Sequence, residues 1–228
     1  MKILSIDTAS DLCTVALLED KNCIKELIVN DARNHSEKIM PVIEQVLQET
    51  NLNLKDINLI VCDKGPGSFT GIRIGVGTAL AFQDSLNIPC VGISSLEALA
   101  YNINKEGLIC SLIDAKNNNV YLGLFKLENN EYTQLSDLSF KSIDETIAIL
   151  KKFNSPITFV GDGATAHKDL LKTNFDTSLF TYKNELSSSS LGIAGFETYK
   201  KGIQTSLMPL YLRKSQAERA LEEKSQKE

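Results

Sequence analysis

The sequence predicts an α/β fold of two related lobes, and three observations predict it. Apolar or alternating runs of strand length come in threes at the start of the chain and again past its middle. Each group of three is followed by a helical repeat, a further strand and further helical segments. The two groups also begin alike, since "LSID" ending at Asp7 and "SLID" ending at Asp114 each place an aspartate after a strand. The simplest organisation is a duplicated unit of three antiparallel strands plus helix, strand and helix, with a first lobe over residues 1–105, a smaller second lobe over 106–213 and a charged tail over 214–228. With 228 residues, the chain can give each lobe a core of its own.

The elements follow in order. "KILSID", "CTVALLE" and "CIKELIVN" are read as three sequential antiparallel strands, separated by polar turn residues such as Asp11 and Asn22. In "SEKIMPVIEQVLQET", Ile39, Met40, Val42, Ile43, Val46 and Leu47 repeat at helical spacing, and Pro41 blurs where the regular helix begins. "INLIVCD" is a buried strand. The loop "DKGPGSFTGIR" joins it to a helical run from Gly71 to Leu86, and "SSLEALAYNI" is a further helix announced by the capping pair Ser94 and Glu97. The second lobe begins with "LICSLIDAK", "NVYLGLFKLE" and "EYTQLSDLSF" as strands, then "SIDETIAILKKF" as a helix capped by Ser142 and Glu145. "ITFVGDGA" is a strand running into a glycine turn, and "HKDLLKT" and "SSSLGIAGFETYKKG" are helical, the serine run Ser187 to Ser190 serving as a helix entry. The tail "KSQAERALEEKSQKE" has only Ala217, Ala220 and Leu221 as apolar residues and reads as a frayed helix or a disordered tail.

Composition narrows the function. A net charge of -5 argues against a large nucleic-acid face, which needs clustered Lys and Arg, so any RNA contact is local or shared with a partner. Cys13, Cys23, Cys62, Cys90 and Cys110 are scattered through apolar runs without C-x-x-C spacing, which fits buried thiols in a reducing compartment better than a zinc site or a disulfide framework. Met1 leads straight into a strand, and no apolar run approaches the ~20 residues of a membrane span, so a soluble cytoplasmic protein is expected.

The glycine loop carries the strongest local signal. Gly65 and Gly67 flank Pro66, which allows positive φ and close backbone approach, and Ser68 or Thr70 is placed to cap the next helix. A strand, a glycine turn and a helix N-terminus make an anion site or a tight turn equally well, and the spacing matches neither the P-loop nor the dinucleotide fingerprint. Beyond the loop, Gly71, Gly75 and Ala79 fall at i, i+4 and i+8 and form one smooth helical face. Two helical glycines at ~1 kcal/mol each imply a compensating close contact, either internal against the Ser36 to Thr50 helix or external against another subunit.

"IDTAS" with "CTVALL", "NHSEKIMPVI", "GPGSFTGIRIGVGTALAF", "IPCVGISSLEALA", "IDAKNNNVYLGLF" and "PLYLRK", in this order from Ile3 to about Lys214, resemble the TsaB (YeaZ) family. That family is a subunit of the bacterial machinery that makes threonylcarbamoyladenosine on tRNA. The resemblance implies an actin-like, ribonuclease H-like fold of two lobes, in agreement with the duplication. It also implies a non-catalytic subunit that docks through first-lobe helices on the metal-bearing subunit TsaD and activates it, with TsaE in the same complex, tRNA reached indirectly and a homodimer formed when the chain is alone. The docking face expected on this basis comprises His35, Ile39, Ile43, Gly71, Ile72, Gly75 and Ala79, and the family loop comprises Gly65, Pro66, Gly67, Ser68, Phe69, Thr70, Gly71 and Arg73.

Two enzymatic readings compete. TsaD carries an H-x-x-x-H metal pair, whose spacing puts both imidazoles on one helical face. In this chain His35 is followed four residues later by Ile39, and the other histidine, His167, is far along the sequence, so no metal site is expected. An actin-like ATPase or a carbamoyl or acyl transferase acting alone is the stronger competitor. In that superfamily, acidic residues on the first hairpin of each lobe face nucleotide phosphates, and second-lobe glycines approach the adenosine. Asp7, Asp114, Gly161 and Gly163 are the candidates for those roles, which leaves room for ATP or ADP at an interface shared with TsaD. Against it, the turn "DTASDLC" lacks a glycine, and Asp162 brings negative charge to the glycine turn. Asp7 and Asp114 then read better as turn caps, and no cofactor is expected.

Overall fold

A computed structural model describes residues 1–30, 34–181 and 183–213; the tail at 214–228 lies outside the described residues. The α/β class and the duplication are visible in the topology. In the first sheet β1 (Lys2–Asp7), β2 (Leu12–Glu19) and β3 (Asn22–Asn30) form an antiparallel meander. After α1 (His35–Glu49), β4 (Leu59–Asp63) pairs parallel with β1, and after α2 (Phe69–Leu86), β5 (Cys90–Ile93) pairs parallel with β4, giving the order β3-β2-β1-β4-β5.

A short helix α3 (Ser95–Ala100) leads to the second sheet. There β6 (Gly107–Asp114) and β7 (Asn119–Glu128) are antiparallel, and β7 also pairs with β8 (Glu131–Gln134) and β9 (Ser139–Ser142). Past α4 (Ile143–Leu150), β10 (Ile157–Val160) lies parallel to β6; past α5 (Asp162–Ala166) and α6 (Lys168–Asn174), β11 (Leu179–Phe180) lies parallel to β10. The meander, the crossover helix and the parallel strand therefore recur.

Three differences from the sequence reading have physical causes. "EYTQLSDLSF" is two short strands, because the chain leaves the ladder after Gln134 and rejoins β7 at Ser139. The strand β5 went unread because four residues after a proline are too short to show a period. Finally α7 (Ser188–Lys200), assigned above to the second lobe, packs on β1, β2, β4 and β5 of the first sheet and against α3. Gly192 there meets Leu18, and Gly195 meets Val61. A helix near the end of the chain thus covers the face of the first sheet opposite α1 and α2.

The helical stripe of small residues finds its contact inside the molecule. A Cβ on Gly71 would stand 1.9 Å from the Thr8 carbonyl oxygen, and one on Gly75 would stand 2.6 Å from Thr8 Oγ1 and 3.5 Å from Cys62 Sγ. Thr8 Oγ1 in turn donates to the Gly71 carbonyl at 2.7 Å. The expected docking residues are therefore corrected: His35, Ile39, Ile43, Gly71, Ile72, Gly75 and Ala79 are all buried. The stripe faces β1 and β4, because a helix crossing this close to a sheet has no room for side chains at the contact.

Along its middle α2 leaves outside Arg73, Gly77, Leu80, Ala81 and Asp84, with Ile74 and Thr78 half-buried; Thr70, Ser85 and Leu86 are exposed at its ends. The space around Gly77 is open for 4 Å. Two neighbouring glycines of one helix thus predict opposite outcomes. Gly75→Leu must push α2 off Thr8 and is expected to cost ~3 kcal/mol, whereas Gly77→Ala is expected to add ~0.5–1 kcal/mol from helix propensity alone. Urea unfolding of the two variants checks both signs.

Candidate functional site

The glycine loop is held from three sides. Gly65 has φ +99°, a backbone state that glycine alone adopts freely, and the Gly65–Pro66 peptide is cis. The Ser68 amide donates to the Ala9 carbonyl at 2.7 Å, and Gly67 lies so close to that carbonyl that a Cβ would stand 2.2 Å from it. The Ser95 amide donates to the Gly65 carbonyl at 2.9 Å. Ser68, the cap residue, accepts from the Gly71 amide at 3.2 Å and starts α2.

Pressed onto the β1–β2 turn, the loop forms one wall of a cleft of about 650 Å³. The other walls are the β6–β7 turn (Asp114, Ala115, Lys116), Asp162, the stretch Asn184 to Leu186, and Arg213. The lobes meet here.

The cleft is acidic. Asp11, Asp114, Asp162 and Glu185 line it together with the cations Lys116 and Arg213, and both cations are engaged. Lys116 Nζ sits 2.6 Å from Asp114 Oδ2. Partial burial works upward on the Asp114 carboxyl, but the hydrogen bonds and charge of Lys116 hold it below the usual carboxylate range. Arg213 Nη1 donates to the Ala115 carbonyl at 2.8 Å, and its guanidinium lies over the Phe140 ring.

Of the four residues expected to face a nucleotide, Asp114 lines this cleft and three need correction. Asp7 is 1% exposed, with its carboxyl buried in the sheet rather than turned to the cleft. Gly161 and Gly163 press on the β6 backbone, where a Cβ would stand 2.1 Å from the Leu112 carbonyl oxygen and 2.9 Å from the Leu112 carbonyl carbon respectively. Asp162, between them, is the residue that reaches the cleft.

A strap from the end of α7 stitches the site together. The Gly92 amide donates to Thr205 Oγ1 at 2.8 Å, and the Leu210 amide to the Lys64 carbonyl at 2.7 Å. The Tyr211 ring stacks on Phe69 at 4.5 Å, with 12° between the planes, and its hydroxyl accepts from Arg73 Nε at 2.8 Å. Two residues further, Arg213 reaches the second lobe. Sequence reasoning saw "PLYLRK" only as a motif and missed this role, because no local pattern says which loop an aromatic side chain will stack on.

The remaining candidate chemistry is spread out. His35 is buried with Nε2 3.4 Å from the Asp11 carbonyl oxygen, while His167 lies between α5 and α6 in the other lobe. Among the described residues, no three His, Cys, Asp or Glu side chains are grouped to hold a metal ion. Burial pushes the Cys13 thiol up to about 11 and the Cys90 thiol up to about 12, and it also raises Cys62 and Cys110, so these sulfurs stay protonated and unreactive at neutral pH. No described helix is long and apolar enough to cross a membrane.

The family model described as "TsaD: tRNA N6-adenosine threonylcarbamoyltransferase" matches residues 26–221. The chain is 34% identical to the tRNA threonylcarbamoyladenosine biosynthesis protein TsaB of Bacillus subtilis over 96% of each protein. The chain belongs to the TsaB family. YeaZ from Pseudomonas aeruginosa superposes with a TM-score of 0.75 at 22% identity, covering 92% of this chain and 99% of that one. A ROK hexokinase from Thermus thermophilus superposes at 0.53 with 9% identity over 89% and 100% of the two chains. These likenesses bear out the actin-like fold expected from the sequence.

If Arg213 is what ties the strap to the second lobe, Arg213→Ala is expected to cost ~1 kcal/mol and to speed hydrogen exchange at the strap and the β6–β7 turn while leaving the first sheet protected. Amide exchange read by mass spectrometry checks the pattern.

Proposed function

We propose that this TsaB-family chain is a non-catalytic subunit in the synthesis of threonylcarbamoyladenosine at tRNA position 37, docking on TsaD and activating it. The observation that carries this reading is the outer surface of α1 and α2. The two helices lie side by side on one face of the first sheet and expose Met40 (47%), Leu80 (39%), Pro41, Gly77 and Ala81. Apolar and small groups of this kind favour close packing against a partner helix, and Gly77 leaves an open notch at the centre of the α2 face.

The buried stripe behind this surface is its support rather than its contact. TsaE would join through TsaD, tRNA would be reached only within the complex, and without TsaD two copies would pair through the same surface, since an isologous contact covers both apolar patches at once.

The chemistry of the chain favours a partner over an enzyme. Ile39 stands four residues after His35, where a metal pair would need its second imidazole. A nucleotide entering the cleft would bring its phosphates against Asp11, Asp114, Asp162 and Glu185, with both lining cations already engaged. The isolated chain is therefore expected to show neither peptidase activity nor ATP turnover; robust turnover would favour the ATPase or transferase alternative.

Gly77→Arg is the decisive variant. It fills the outer notch without touching the core, so the melting temperature of the isolated chain should stay within a few degrees. Co-purification with TsaD and threonylcarbamoyladenosine formation by the reconstituted complex should both be lost. Tight binding of TsaD by a folded Gly77→Arg chain would remove α2 from the interface.

A further inference from the structure

Two buried carboxyls take no part in the cleft or in the outer surface. Asp7 ends β1 and Asp63 ends β4. The strands are parallel, with Ile6 opposite Cys62 one residue earlier, so the two side chains leave neighbouring strand ends on the same side of the sheet. Their exposures are 1% and 2%.

One oxygen of each is committed to a turn. Asp7 Oδ1 accepts from the Ala9 amide at 2.7 Å; Asp63 Oδ1 accepts from the Gly65 amide at 2.7 Å and from the Ser95 hydroxyl at 2.7 Å. The other oxygen of each, Oδ2, is buried with no further partner among the described residues. Two carboxyls held at neighbouring strand ends and shielded from water are not both ionised.

We propose that Asp7 and Asp63 share a single proton, carried by Asp7, and that this hydrogen bond clasps the glycine loop to the end of the first strand. The assignment to Asp7 follows from the donors. Asp63 has two hydrogen bonds and the Lys64 charge to stabilise an anion, whereas Asp7 has one backbone donor and faces the negative charges of Asp63 and of Glu26 on β3. Burial is the largest cause in both, raising Asp63 to about 6 and Asp7 well above the usual carboxylate range.

The other elements packed here bring neutral groups. Cys13 on β2 and Cys62 on β4 are held as neutral thiols, chiefly by burial, with the charge of Asp63 acting in the same direction on Cys62. From α3 comes the Ser95 hydroxyl, and from α2 the glycines that pack on Thr8.

The clasp acts through two turns. Asp7 fixes the Ala9 amide, and the Ala9 carbonyl receives the Ser68 amide that opens α2; Asp63 fixes the Gly65 amide at the start of the same loop. Both folded-state pKa values lie above the unfolded value near 3.8, so the folded chain binds more protons than the unfolded chain as pH rises past 4. The stabilisation is complete below that value and declines as pH rises. Above pH 6 one proton is still retained, and the folding constant falls about tenfold per pH unit until Asp7 releases it.

The test uses the full chain labelled with ¹³C at the aspartate carboxyls. In the wild type at pH 7, one aspartate resonance should remain at the protonated position and should disappear in Asp7→Asn. The carboxamide that this substitution introduces donates to Asp63 as the acid did, so the variant should keep slow exchange at the Gly65 and Ser68 amides. It should also lose the tenfold-per-unit decline in urea stability above pH 6.

Should Asp7→Asn fail to fold, Asp63→Asn offers the reverse donor and is expected to remove the same resonance and the same decline. The proposal is overturned if every wild-type aspartate resonance is ionised at pH 7, or if a folded variant declines with pH as steeply as the wild type.

Discussion

The approach of α2 to the end of β1 is the contact on which the rest of this molecule depends. Thr8 sits against Gly71 and Gly75 with no room for another atom, and its hydroxyl bonds back to the Gly71 carbonyl. Two helical glycines sacrifice ~2 kcal/mol of helix propensity. What they gain is a helix packed near contact distance, with Ile72, Val76, Ala79 and Phe82 buried beside them. Because the inner face of α2 is used up in this way, anything α2 offers another molecule must come from its opposite side.

The same contact fixes the glycine loop. Its start is tied to Asp63 and Ser95, its middle to Ala9, and its end becomes the capped first turn of α2. The Tyr211 ring then covers Phe69 from outside, and Arg213 extends the hold to the second lobe. A chain segment that returns from α7 thus connects the outer surface of α2, through Arg73 and Tyr211, with the turn that lines the cleft. Two surfaces that look separate in sequence share one mechanical support.

Charge is distributed by burial in opposite ways. In the cleft, Asp114 stays ionised because Lys116 stands beside it in water-accessible surroundings. At the strand ends, burial pushes both Asp7 and Asp63 above the usual carboxylate range, and the neighbouring charge of Asp63 pushes Asp7 further. The two aspartates that end the first strand of each lobe looked equivalent as sequence, yet one lies in the core and the other lines the cleft. The parallel neighbour of β1 ends in a carboxyl, Asp63, whereas that of β6 ends at Val160.

The sequence by itself determined the α/β class, the duplication, the helix caps at Ser94 and Ser142 and the family, and it narrowed the cap of α2 to Ser68 or Thr70. These depend on local period, on capping chemistry one to three residues away, and on ordered motifs. It also showed that the stripe of Gly71, Gly75 and Ala79 must touch something. Only the tertiary structure decided what: the stripe turned inward onto Thr8, α7 crossed back to the first sheet, Asp7 met Asp63, and the strap found Phe69 and Ala115. Each of these joins residues far apart along the chain, and helical or strand period states which residues share a face without stating what lies across from it. A face rich in glycine reads the same whether a strand or another protein fills it.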